Sequence, residues 1–230
     1  VGGTGGIGSA LAVKMAKLGA KVVIAGRNQS KAEEIANGIN AYGGEVYPIQ
    51  IDVTDPSSVQ NLAGQISTQF GKLDILINAF GQGIIQSIKE IEPQNAKEII
   101  DVNVFGTYLV TQAMLPILNE ERSDVVMFPG TMGKYIMKNS SVYSASKFAI
   151  QGFTKALTEE LKREKIRFTL FYLGGVNTEF WDDERVQMRV KKEAMLSPEA
   201  VANTVVATLA LPGTAVVNEV VMQPESHQLV

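Results

Sequence analysis

No cysteine occurs among the 230 residues, and there is one histidine, His227. The first absence excludes disulfides, thiolate nucleophiles and cysteine-ligated metal or iron–sulfur centres. The second leaves few ligand sets for a metal, and none is expected. His227 sits in the run Pro224-Glu225-Ser226-His227-Gln228, the setting of a tail or surface residue rather than of a catalyst. Cationic charge is also short: 21 lysines and arginines stand against 24 acidic residues, for a net charge of -3, and no long basic cluster occurs. Such a chain has no field to steer a polyanion, so nucleic acid is not an expected partner. There is no run of about 18 apolar residues and no basic, apolar signal segment. No membrane partner is expected, and the simplest location is cytoplasmic.

What is present is an alternation of strand and helix. With 45% hydrophobic and 20% charged residues, the chain has material for one substantial core, and residues 1–230 read as a single domain. Short apolar runs bounded by polar, glycine or proline residues predict strands at 21–25, 46–51, 73–78, 124–128, 167–172 and 216–222. Helices are predicted at 29–41, 56–70, 93–118, 141–164 and 198–210. Asp55 before Pro56, and Ser197 before Pro198, are N-caps followed by proline at the first helical position. The helix at 141–164 carries its core stripe at Ile150, Phe153, Leu157 and Leu161. Val1 reads as the last residue of a buried strand lying upstream. With that strand counted, the expected fold is α/β: a doubly wound, Rossmann-type sandwich around a seven-stranded parallel sheet.

Two motifs carry chemistry. Val1-Gly2-Gly3-Thr4-Gly5-Gly6-Ile7-Gly8 precedes an amphipathic segment and then the strand at 21–25, the pattern of a glycine-rich turn that opens a helix. Such a turn lets the backbone approach a pyrophosphate, whose charge meets free amides and the positive end of the helix dipole. The second motif is Tyr143-Ser144-Ala145-Ser146-Lys147, which places a phenol and an ammonium one turn apart on one helix face. An ammonium nearby favours the phenolate, lowering the tyrosine pKa toward proton exchange with an alcohol or carbonyl.

With glycine turn, alternating architecture and Tyr/Lys pair together, the chain resembles the short-chain dehydrogenase/reductase family over essentially its whole length. The family's glycine pattern falls on Val1, Gly2, Gly3 to Gly5, Gly6, Ile7 and Gly8, with valine in place of threonine. The resemblance implies a cofactor-binding set of Gly2, Gly3, Thr4, Gly6, Ile7, Gly8, Arg27, Asp52, Val53, Asn78, Ala79, Gly81, Gly174, Val176 and Thr178, with Tyr143 and Lys147 at the nicotinamide end. Asp52 would contact adenine; a role capping a strand turn is open beside it. Asn78-Ala79-Phe80-Gly81 stands for the family's NNAG segment, departing at Ala79 and Phe80. Asn103 matches the active-site asparagine that accompanies a helix distortion and a water relay to the lysine; a structural hydrogen-bonding role is the other reading. Gly174 to Thr178 matches the segment beyond strand six, with Leu173 replacing proline.

One departure bears on catalysis. Thirteen residues before the tyrosine, where the family commonly has the serine that binds the substrate oxygen, stands Gly130. Thr131 is adjacent, and its hydroxyl takes that role if the loop shifts by one residue. The catalytic set is then Tyr143, Lys147, Asn103 and Thr131. Without it, loss of one oxyanion donor costs on the order of 100-fold in rate. Substrate-wall candidates are Met132, Tyr135, Tyr172, Phe180 and Trp181, and residues 174–195 form a candidate substrate lid. Gly26, where NAD-preferring relatives often carry aspartate, is followed by Arg27, which favours NADP(H) and leaves NAD(H) possible.

The implied activity is hydride transfer between NADP(H) and a small-molecule carbonyl or secondary alcohol. An impaired nucleotide-binding sensor or interaction protein, and a structural subunit, are the alternatives. The family resemblance further implies a homodimer or homotetramer.

Overall fold

The computed structural model describes residues 1–226, so His227 lies outside the described residues. Six strands form: β1 (Lys21–Gly26), β2 (Glu45–Gln50), β3 (Ile75–Asn78), β4 (Ser123–Met127), β5 (Ile166–Leu173) and β6 (Glu219–Met222). They make two parallel ladders, β1-β2 and β3-β4-β5-β6. These are the six strands expected within the chain. Residues 1–3 join the ladders by hydrogen bonds to both. The Val1 amino group donates to Ile77 O at 2.7 Å and Val1 O accepts from Ala79 N at 2.9 Å, while the amides of Gly2 and Gly3 donate to Ala25 O at 2.8 and 3.2 Å.

Helices α1 (Gly6–Lys17), α2 (Gln29–Asn40), α3 (Pro56–Phe70), α4 (Pro93–Ile100), α5 (Gly106–Met114), α6 (Ser141–Glu160) and α7 (Pro198–Leu209) cover both faces. The period-2 alternation of the strands divides the core accordingly. Val125, Met127, Leu170 and Tyr172 face a cluster with Leu62, Val110 and Leu157 of α3, α5 and α6. Val126, Phe171 and Leu173 face the other side, against Leu11 of α1 and Val201 and Val205 of α7. All five residues of β4 are buried, as a central parallel strand requires.

The predicted caps form: Asp55 accepts from Ser57 N at 2.9 Å and Ser197 from Ala200 N at 3.1 Å. In α6, Ile150 and Leu157 are buried, and Phe153 and Leu161 pack against the same core. The single helix expected over 93–118 is corrected. After α4 the chain takes one π-helical turn over Asp101–Phe105, resumes as α5 and closes in a 3-10 turn, Leu115–Ile117. A π-turn admits one extra residue, and here it lies where Asn103 is turned wholly inward. The helix predicted to run to 164 stops at Glu160, and the last strand shortens to Glu219–Met222.

A bidentate ion pair ties β4 to β5. Arg167 Nε and Nη2 donate to the two oxygens of Asp124 at 2.7 and 2.8 Å, with both side chains about 10% exposed. Removing one member leaves the other charge uncompensated in a dry setting. Asp124→Ala is expected to lower unfolding free energy by about 3 kcal/mol, read from the urea midpoint.

Candidate active site

The strand order runs β2-β1, then residues 1–3, then β3-β4-β5-β6, so the chain winds outward in both directions from its first residues. Open parallel sheets place their crevice at such a switch point, beyond the carboxyl ends of the strands. A cleft of about 1220 Å³ lies there.

Its floor is the glycine turn. Gly2 has φ +81°, and a Cβ on it would stand 2.5 Å from Phe80 N; one on Gly8 would stand 2.1 Å from Gly2 O. Only glycine admits this close turn. Gly2, Thr4, Gly6 and Ile7 line the cleft, whereas Gly3, against Ile24, and Gly8 shape the turn from behind. No side chain caps α1, so its first-turn amides remain available to an anion.

At one end of the cleft stand Arg27, Asn28 and Lys31, with Asp52 and Val53 beside them. The space above Gly26 is filled by Thr4: a Cβ on residue 26 would lie 2.8 Å from Thr4 Oγ1. Asp52 accepts from Thr54 N at 2.9 Å and Thr54 Oγ1 at 2.7 Å, and these bonds hold its carboxyl below the usual range. The turn-capping role is therefore realised, on a residue that also lines the cleft. Ala79 and Gly81 line it too, but Asn78 does not. Asn78 is buried, donating to Thr111 Oγ1 at 3.3 Å and Met127 Sδ at 3.2 Å, because its place on β3 points it into the sheet–helix interface.

At the other end, Tyr143 and Lys147 project from the first turns of α6. Lys147 Nζ donates to Phe128 O at 3.0 Å and lies 5.6 Å from the centre of the Tyr143 ring. The expected lowering of the tyrosine pKa is corrected. Burial pushes Tyr143 up and lowers Lys147 to about 8, because desolvation disfavours both charged forms. Asn103 is 1% exposed and does not line the cleft. Its carboxamide accepts from Gln82 N at 2.8 Å and donates to Gln82 O at 2.8 Å and Ser146 Oγ at 3.0 Å. The π-turn agrees with the expected helix distortion.

Gly130 takes φ +65° and starts the 3-10 turn Thr131–Gly133, which brings Thr131, buried, to the cleft wall. Met132, Phe180 and Trp181 line the same wall; Tyr135 and Tyr172 do not. Tyr172 points to the opposite side of β5, where it accepts from Gln151 Nε2 at 2.8 Å beneath the Lys134 ammonium, 4.4 Å from the ring centre. Residues 174–195 bring Gly174, Val176 and Thr178 to the cleft. They include the 3-10 turn Glu179–Asp182, and Val176 pairs with Leu196. Sequence reasoning missed Lys31, whose ammonium meets Glu179 at 2.9 Å, and Gln82. The i+4 spacing from Arg27 and the place directly after Gly81 were the available signals.

Residues 1–189 match the family model described as short chain dehydrogenase. The chain belongs to the short-chain dehydrogenase/reductase family. An uncharacterised oxidoreductase of Staphylococcus epidermidis is 32% identical over 224 residues, covering 97% of this chain and 94% of that protein. Among solved structures, a metagenomic short-chain oxidoreductase in complex with NADP aligns with TM-score 0.83 at 25% identity, covering 97% and 94% of the two chains. The 3-ketoacyl-(acyl-carrier-protein) reductase from Brucella melitensis complexed with NADH aligns with TM-score 0.86 at 27% identity, over 97% and 95%. The protein is thus an oxidoreductase with the Rossmann-like fold of this short-chain dehydrogenase family.

The lowered Lys147 pKa has a consequence for stability. Between pH 8 and the ordinary 10.5 the unfolded chain binds a proton that the folded chain does not. Folding stability therefore rises with pH through that window, by roughly 3 kcal/mol from this group. Urea unfolding of the cofactor-free protein at pH 7.5 and 9.5 should show this rise, and Lys147→Met should remove it.

Proposed function

We propose that the protein transfers a hydride reversibly between NADP(H) and a small-molecule carbonyl or secondary alcohol, with Tyr143 as proton donor and acceptor. The carrying observation is that Tyr143 and Lys147 line the same cleft as the uncapped glycine turn. A dinucleotide fits by its chemistry: amides without a side-chain cap suit a pyrophosphate, and a tight turn with no room for side chains lets it approach. When bound, the nicotinamide supplies the hydride.

The chain's own residues then divide the work. Tyr143 delivers its proton to the carbonyl oxygen, and Lys147 holds the nicotinamide ribose and stabilises the phenolate left behind. Asn103 is a positioning residue, since its carboxamide is fully engaged with Gln82 and Ser146. Thr131 supplies the hydrogen bond to the substrate oxygen that Gly130 cannot. Met132, Phe180 and Trp181 give the substrate an apolar wall, and residues 174–195 act as its lid.

The preference for NADP(H) is supported by Arg27 and Lys31 at the far end of the cleft and by Thr4 filling the space a residue-26 carboxylate would need. Asp52, which lines the cleft with Arg27, would meet the adenine. Of the two similar structures, the oxidoreductase holds NADP and the reductase NADH, so NAD(H) is the secondary cofactor. The enzyme works on small molecules as a homodimer or homotetramer in the cytoplasm.

Gly130 favours a second reading, a nucleotide-binding protein of weak turnover. Two measurements decide. NADPH, followed by its fluorescence, should bind at least about tenfold tighter than NADH, a margin lost in Arg27→Ala. Across a panel of carbonyl compounds, Thr131→Val should lower kcat about 100-fold. Cofactor binding without turnover of any carbonyl would select the second reading.

A further inference from the structure

Gln82 stands at the reacting end of the cleft, directly after Gly81, where a Cβ would lie 3.3 Å from Lys147 Nζ. Its main chain is gripped on both sides. Asn103 accepts from its N–H and donates to its carbonyl, each at 2.8 Å. Through Nδ2 the same carboxamide reaches Ser146 Oγ at 3.0 Å, and that hydroxyl donates to Tyr143 O at 2.7 Å. The Gln82 backbone is therefore held in register with the helical turn that carries the proton donor.

The side chain tells a different story. Gln82 Oε1 is buried and has no hydrogen-bond partner. A carboxamide oxygen has two lone pairs, and shutting it from water unpaired is unfavourable. Such a group in a cleft wall points to a ligand that brings the missing donor. A simple ketone has no O–H or N–H to offer. A hydroxyl on the carbon next to the carbonyl does, and its oxygen lies two bonds from the reacting carbon.

We propose that Gln82 is a specificity-determining residue whose Oε1 accepts a hydrogen bond from a substrate hydroxyl vicinal to the reacting carbon. The substrates are then α-hydroxy carbonyl compounds and the reduced products vicinal diols. This rests on the carbonyl-reductase reading given above. The step balances: the carbonyl π bond breaks, hydride forms the new C–H bond, Tyr143 provides the proton of the new O–H bond, and the reduced nicotinamide is oxidised. Gln82 and the vicinal hydroxyl are unchanged.

The test compares hydroxyacetone with acetone, which lacks only the hydroxyl, as NADPH-dependent substrates of the wild type, Gln82→Leu and Gln82→Glu. The greater intrinsic reactivity of the hydroxyketone is common to all three proteins and cancels. Gln82→Leu is expected to lower the hydroxyacetone-to-acetone ratio of kcat/KM at least about tenfold, mainly through KM. Gln82→Glu keeps an acceptor and should hold the ratio within about threefold of wild type. If Gln82→Leu does not fold, judged by loss of NADPH binding, Gln82→Met takes its place as the closer match in shape. A ratio that moves less than threefold in a variant that still binds NADPH overturns the proposal while leaving the reductase reading intact. Failure of NADPH-bound wild type to reduce hydroxyacetone overturns the proposal, and the reductase reading falls with it only if no compound of the wider carbonyl panel is reduced.

Discussion

The carboxamide of Asn103 is the point on which the site depends. It bonds both main-chain groups of Gln82, in the loop beyond β3, and the hydroxyl of Ser146, on α6. A side chain 1% exposed must satisfy its polar groups internally, and here it does so by joining two elements that are not neighbours in sequence. The π-turn over Asp101–Phe105 carries it. Because Ser146 also binds the Tyr143 carbonyl, the bonds that fix the loop fix the first turns of α6 as well.

From that tie the cleft takes its order. The sheet brings the carboxyl ends of β1, β3, β4 and β5 to one side, and the connections leaving them supply Arg27, Gly81, Thr131 and Val176 to one cleft. The glycine turn adds amides, α6 adds the phenol and ammonium, and the segment beyond β5 lines the same cleft. Burial raises the Tyr143 pKa and lowers that of Lys147 to about 8. An anion beside Lys147 would favour its charged ammonium, whereas a developing oxyanion beside Tyr143 would hold the phenol proton until it is transferred.

Much of this was legible in the sequence, for local reasons. Strand runs such as 124–128 are continuous because both faces are buried, and Asp55-Pro56 and Ser197-Pro198 mark helix starts because capping is a contact within three residues. The glycine turn and the Tyr143/Lys147 pair were readable because their geometry is set by spacing along the chain. What could not be read depends on direction. Tyr172 and Phe171 are adjacent and equally apolar in pattern, and only strand register sends Tyr172 away from the cleft. Asn78 likewise turns inward, and Lys31 meets Glu179 across 148 residues. None of these has a local signature.

The central claim is that Tyr143 moves the proton while the dinucleotide cleft moves the hydride. Its most direct test is single-turnover oxidation of bound NADPH by a carbonyl compound, in wild type and in Tyr143→Phe, with NADPH affinity measured on both. The account predicts a fall of roughly 100- to 10,000-fold in the hydride-transfer rate with NADPH affinity retained. An equal rate in the two proteins would contradict it.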